Sequence, residues 1–287
     1  MTLMGALSSD SVSLIDYVWA LEGRDSAARG EQVITTIKSI GLKPVIQSCR
    51  WPRIRNIIVD FLPDSAAKRL LFFSAHYDVV KGSPGANDDA SGVAVLLGLC
   101  DQLRRGPRPV RVVFFDREEC WFRTPLLSLG LLGSLYYVWK AELRNVAAVY
   151  NLEFCGQGDF LGMWPVKGRE IELSAVKQVQ AVASRLGMPF RSAHIPWLLF
   201  SSDHLPFRLR GFANALTLSL LPSSQVPVLE EMLATMSFTR LLVGQRPVLP
   251  EPLSYIHSRS DNSARIEESS LKLMLSLLLG LVARHQS

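Results

Sequence analysis

Cysteine is scarce in this chain of 287 residues: there are four, Cys49, Cys100, Cys120 and Cys155, and none stands in CxxC spacing. That excludes a zinc-finger framework and a disulfide scaffold, and makes a reduced, cytoplasmic setting the expectation. No run of five like charges occurs. The net charge of +5 (pI ≈ 9.1) is spread along the chain, so no dedicated nucleic-acid surface is expected. Long apolar runs are also missing. The most apolar stretch, Leu271 to Val282, is interrupted by Lys272 and falls short of the about 20 residues that a membrane-spanning helix needs, so it predicts a buried helix and no membrane anchor. The N-terminal segment has no basic region ahead of a continuous apolar one, and no secretory leader is expected. Glycine (19) and proline (16) are near ordinary usage, which rules out a collagen-like or disordered chain. No repeat or domain boundary stands out, so a single domain over residues 1–287 is expected.

What is present is alternation. Apolar residues at helical spacing between Val12 and Ile40, interrupted by the stretch GRDSAARG, predict two helices, and a strand begins within Lys43 to Gln47. Short apolar, β-branched or aromatic runs predict strands at Asn56 to Phe61, Leu70 to Ala75, Val110 to Phe115 and Ala147 to Leu152. Helices are predicted over Ser91 to Arg105, Leu135 to Leu143 and Val228 to Val243, with Pro-rich loops around the last. This rhythm argues for a three-layer α/β/α sandwich around a central, mostly parallel mixed sheet.

In such sheets the working residues sit at the carboxyl ends of the strands. Here His76 and Asp78 follow one predicted strand, Asp116 to Glu119 follow a second, and Glu153 follows a third. A hydrolytic zinc centre needs imidazole and carboxylate ligands, an open position for water, and a separate carboxylate to take a proton. Candidates exist for each part. Asp78, two residues after His76 on a strand, lies on the same face and can accept the other ring N–H. In Gly85-Ala86-Asn87-Asp88-Asp89-Ala90-Ser91-Gly92, small residues permit a tight turn, and Asp89 or Ser91 can cap the following helix. Glu118 and Glu119 point different ways, so one can bind metal while the other acts as base. Glu153 and the late His257, with Asp261 four residues on, complete the set.

These motifs resemble the co-catalytic zinc aminopeptidases of the M28 type: HYD (76–78), GANDDASG (85–92), EE (118–119), NLE (151–153), SDHLPF (202–207) and YIHSRSD (255–261) occur in the family's order. The resemblance runs from roughly residue 12 to the C-terminus. It implies a zinc-exopeptidase (phosphorylase/hydrolase-like) fold and a two-zinc aminopeptidase acting on peptides with a free N-terminus. It further implies that His76 binds one zinc with Glu153, that Asp78 orients His76, and that Asp88 bridges both ions across a cis Asp88–Asp89 peptide. Glu119 and His257 would bind the second ion, and Glu118 would be the general base. Two departures stand out. Glu153 replaces the family's usual Asp, and Cys120 to Leu132 expands a segment that peptidases keep short. A similar expansion occurs in the related glutaminyl cyclases, which use one zinc. Against that reading, the cyclases carry Trp immediately before the late His, where this chain has Ile256, and they depart from the DDASG consensus that is intact here. An inactive scaffold of the same fold is the third reading.

Outside this set, Asp203 is expected to orient ligands, His204 to be structural, His194 to be a loop residue and His285 to lie in a frayed tail. Cys120 and Cys155 are expected to be packed neutral thiols. Phe160, Trp164, Trp197 and Phe200 could line a side-chain pocket or pack in the core.

Overall fold

The structure, a computed structural model, describes residues 13–62, 69–119, 122–123, 128–194, 201–235 and 247–286. The two N-terminal helices are α1 (Leu14–Leu21) and α2 (Ser26–Ser39). Asp25 separates them because its side chain accepts the N–H of Ala28 at 2.8 Å and so starts α2. An eight-stranded sheet follows from β1 (Val45–Cys49), β2 (Ile54–Asp60), β3 (Leu70–His76), β4 (Val110–Phe115), β7 (Val146–Leu152), β8 (Phe160–Trp164), β9 (Phe190–Ser192) and β10 (Ala215–Leu221). Two-residue strands β5 (Phe122–Arg123) and β6 (Ser128–Leu129) pair separately, within the expanded segment.

The spatial order is β1-β2-β4-β3-β7-β10-β8-β9. The central β4-β3-β7-β10 pairings are parallel, and β1, β2 and β8 run antiparallel to their inner neighbours. The sheet is therefore mixed with a parallel heart. The run LLFFSAH of β3 is buried at every position, as a strand covered on both faces must be.

Helices α1, α2, α3 (Ser91–Leu103) and α5 (Ser174–Leu186) pack on one face. They are joined there by the C-terminal helix Glu268–Gln286, which buries Leu271, Met274, Leu277, Leu278 and Leu281 completely. Glu268 on that helix accepts the N–H groups of Leu14 and Ile15 at 3.2 and 2.8 Å, tying the two ends of the described chain together. On the other face, Tyr137 of α4 (Leu132–Lys140) and Phe207 of α6 (His204–Leu209) close an aromatic cluster with Phe72 and Phe115. Helix α7 (Val226–Thr235) begins two residues ahead of the predicted Val228, with Pro227 in its first turn, where a missing N–H costs nothing; the remainder of the predicted element, residues 236–243, lies outside the described residues. His285 belongs to the last turn of the C-terminal helix and contacts the Arg69 carbonyl, so it is not in a frayed tail. Among the described residues no helix is long and apolar enough to cross a membrane.

Candidate metal centre

Three adjacent parallel strands bring the acidic strand ends together. Register pairs His76 with Phe115 and Ser74 with Asn151, so β3, β4 and β7 end at one level of one sheet edge. Beyond β4 and β7 the chain bends through residues with positive φ, Arg117 (55°) and Phe154 (55°), and His257 itself has φ 59°. A non-glycine residue in this region costs on the order of 1–2 kcal/mol, which the surrounding packing must offset. These bends turn Glu118, Glu119, Glu153 and His257 toward a common point.

At that point Asp88 stands between two imidazoles. Its Oδ1 lies 3.2 Å from His76 Nε2 and its Oδ2 3.2 Å from His257 Nε2. His257 Nε2 is also 3.0 Å from Glu119 Oε2, and His76 Nε2 is 4.0 Å from Glu153 Oε1. Among the described residues three triads result, His76–Asp88–Glu153, Asp88–Glu119–His257 and His76–Glu118–Glu119, each with donor atoms within 4.8 Å of one another, and Asp88 belongs to the first two. The Asp88–Asp89 peptide is cis. The extra methylene of Glu153 does not carry it out of the cluster: Ser202 Oγ donates a hydrogen bond to its carboxylate.

The electrostatics show a shortage of positive charge. Burial pushes the Glu153 carboxyl up to about 8 and also raises Glu118, Asp89 and Glu119. Burial acts upward on Asp88 too, but His257 and His76 outweigh it and hold that carboxyl below the ordinary range. The imidazoles move in step. Asp88 and Glu119 raise His257 to about 10, while His76 rises because Asp78 and Asp88 overcome its burial. In the protein alone, protons on imidazole supply the charge that divalent cations would supply. The donor set of neutral imidazole and carboxylate suits zinc, and the buried Glu119 Oε1 is without a hydrogen-bond partner. The residues fit a metal pair.

Asp78 faces His76 and also serves the chain beyond β4. Its Oδ1 lies 3.4 Å from His76 Nδ1, and that ring nitrogen has no hydrogen bond. The carboxylate also accepts the backbone N–H groups of Glu118 at 3.0 Å and Glu119 at 3.1 Å. Asp89, and not Ser91, caps α3 through the N–H of Gly92 at 3.1 Å. Ser91 and Asn87 instead accept the N–H groups of Cys155 and Gly156 at 2.9 and 2.8 Å, fastening the Asp88 loop to the segment that follows Glu153. Asp203 is fully buried without a hydrogen bond to any candidate ligand, and the adjacent Ser202 makes the contact expected of it. His204 is structural: burial lowers it to about 3, Nδ1 lies 2.7 Å from Thr217 Oγ1, and its ring meets Trp164 edge-on. Burial pushes the Cys155 thiol up, so it is a packed neutral group. Trp164 is core and Phe160 packs beside Leu221, Leu229 and Met232, whereas Cys120, Trp197 and Phe200 lie outside the described residues.

Two contributors carry little sequence signal. Arg29 of α2 is wholly buried and donates from Nη2 to the carbonyls of Pro84 and Gly85 at 2.7 and 2.8 Å, bracing the entry to the Asp88 loop. Asp261 accepts the N–H groups of Asn87 and Asp88 at 2.7 and 3.1 Å. Its place four residues after His257 hinted at proximity, but nothing in the pattern pointed to Arg29.

Known proteins resemble the chain in sequence and in fold. Aminopeptidase YwaD of Bacillus subtilis (strain 168) is 30% identical over 159 residues, which span 51% of this chain and 31% of that protein. The chain spans under a third of the length of the curated relatives it matches. Among solved structures, the glutaminyl cyclase of Porphyromonas gingivalis overlays with a TM-score of 0.67 at 19% identity, covering 95% of this chain and 97% of that one. A zinc aminopeptidase from Bacillus subtilis overlays with a TM-score of 0.59 at 22% identity, covering 80% and 49%. These overlays show the shared fold. The profile described as Peptidase family M28 matches residues 56–282, and the chain belongs to that family.

Proposed function

We propose that the protein is a zinc-dependent aminopeptidase that removes N-terminal residues from peptides with a free N-terminus, using two zinc ions. The observation that carries this reading is Asp88, one carboxylate facing two imidazoles through its two oxygens and shared by two donor triads. His76, Asp88 and Glu153 would hold one ion, and Asp88, Glu119 and His257 the other. Bound there, zinc supplies Lewis acidity, polarising the scissile carbonyl and making water a competent nucleophile at neutral pH.

The chain's own groups do the rest. Asp78 fixes the backbone of Glu118 and Glu119, so that Glu119 faces His257 while the Glu118 carboxylate accepts no hydrogen bond among the described residues. Glu118 is therefore available to take the proton from the attacking water and pass it to the leaving amine. Ser202 holds Glu153 in place, and Asp261 with Arg29 holds the Asp88 loop.

A second reading is glutaminyl cyclisation with a single ion. The expanded segment Cys120 to Leu132 favours it; chain coverage does not, because a leucine aminopeptidase precursor from Bacteroides thetaiotaomicron is covered to 95% of its length, as the Porphyromonas gingivalis cyclase is to 97%. Zinc per chain after loading and dialysis separates the two, together with assays on a leucine anilide and a Gln-peptide. About two ions with anilide cleavage supports the aminopeptidase; one ion with ammonia release and no peptide-bond cleavage supports the cyclase; neither ion nor turnover leaves the scaffold.

A further inference from the structure

A cavity of about 710 Å³ opens beside the metal centre, and Asp78 and Glu119 form part of its wall. Its volume falls within the range of small-molecule sites, roughly 300–1,000 Å³. What distinguishes it is charge. Arg53, Arg55, Lys81 and Arg117 all line it, drawn from the start of β2, the loop after β3 and the turn after β4. The acidic groups in the wall are already engaged. Asp78 accepts two backbone N–H groups, Glu119 faces His257, and Asp116 accepts the N–H of Arg55 at 2.9 Å. Among the cations, Arg55 pairs with Glu31, whereas Arg53 and Lys81 are exposed and form no ion pair among the described residues.

A recess with unneutralised cations, one wall of which is a metal-centre residue, selects a ligand with an anionic end. On the peptidase reading, the substrate's amino end occupies the metal centre and its chain leads away from it. An extended peptide advances about 3.3–3.6 Å per residue, so a neighbouring cavity is reached within a few residues of the scissile bond. We propose that this cavity receives the C-terminal carboxylate of a short peptide, which makes the protein selective for di- and tripeptides with a free C-terminus. The inference rests on the peptidase reading for the placement of the substrate, but its test does not depend on turnover.

The test uses zinc-loaded protein carrying Glu118→Gln to suppress hydrolysis, and titration calorimetry with Leu-Gly-Gly, its C-terminal amide, and Leu-Glu-amide. The free acid is expected to bind about fivefold more tightly than its amide at low salt, a size suited to two exposed ion pairs. The ratio should shrink at high salt and fall to about one in Arg53→Ala/Lys81→Ala. Equal binding of acid and amide overturns the proposal, as does a preference that survives the double substitution. Leu-Glu-amide binding as tightly as the free acid would show that the cavity reads an acidic side chain, which also overturns it. If unsubstituted protein cleaves none of the three peptides while the calorimetric preference holds as described, the peptidase reading fails and the carboxylate subsite stands.

Discussion

Asp78 Oδ1 accepts the backbone N–H of Glu118 at 3.0 Å, so the residue that follows β3 sets the orientation of the residue proposed as general base beyond β4. The other oxygen does the same for Glu119 at 3.1 Å. Asp78→Ala would leave two amide donors without their acceptor, at a cost of about 1–3 kcal/mol for each that stays buried. Zinc affinity is expected to fall about 10–100-fold, as for other groups that support ligands from behind. Competition with a chromogenic chelator measures it. Unchanged affinity would show that Glu118 and Glu119 hold their positions unaided.

Removing the proposed base separates chemistry from metal binding. Glu118→Gln should keep zinc content at the level of the unsubstituted protein while turnover falls at least about 100-fold, the lower end for a general base. Elemental analysis and a leucine-anilide assay on the same preparation decide this. Near-normal turnover would remove Glu118 from that role.

The shared position of Asp88 predicts an asymmetry between two substitutions. His76→Ala leaves the Asp88–Glu119–His257 triad intact and should leave about one zinc per chain, held there. Asp88→Ala damages both triads that contain Asp88 and should leave close to none. Equal losses from the two variants would contradict a carboxylate common to two sites.

Acid should stabilise the metal-free protein. Unfolded carboxyls titrate near 4, but in the fold burial pushes Glu153 up to about 8, Asp203 to about 7 and Asp261 to about 6. Asp88 and Glu119 raise His257 to about 10. Between these limits the folded chain binds protons that the unfolded chain has lost. The carboxyl contribution is therefore complete below the unfolded values and is lost as pH rises through 6 to 8; that of His257 is lost as pH rises toward 10. Two groups act in the opposite sense: Asp88 at low pH, and His204, which burial lowers to about 3, as pH rises toward its unfolded value of about 6.5. Thermal melts in chelator should show Tm falling between about pH 6.5 and 8, above the range in which His204 opposes the trend, and added zinc should raise Tm most at the alkaline end, where it displaces the fewest protons. A metal-free Tm that climbs over this range would refute the proton-for-metal account.

The inner strands were legible because burial on both faces leaves continuous apolar runs: Val110–Phe115 is predicted to the residue, and Leu70–His76 and Val146–Leu152 to within one. Strands β8 and β10 were not assigned. FLGMW carries a glycine, and ALTLSLL runs into a Pro-rich segment that reads as loop. The six motifs brought forward the residues that the fold gathers around Asp88. What stayed hidden were supports whose partners are backbone atoms. Asp78 binding two N–H groups, Arg29 binding two carbonyls and Ser91 reaching Cys155 depend on chain crossings that no spacing encodes.

Asp261 holds the Asp88 N–H from 173 residues further along the chain, and His257 lies in the same late segment. Read as time, this separation has a consequence for synthesis. At about 5–20 residues per second, His76 and Asp88 wait on the order of ten to thirty seconds, and Glu153 on the order of five to twenty, before the segment that completes and braces their cluster is made. Throughout that interval a nascent chain has a single imidazole among its carboxylates and no clamp on the Asp88 loop. On the two-ion reading, capture of the second ion thus waits for this late segment, and a product terminated ahead of His257 would have the sheet's acidic edge without the means to hold that ion.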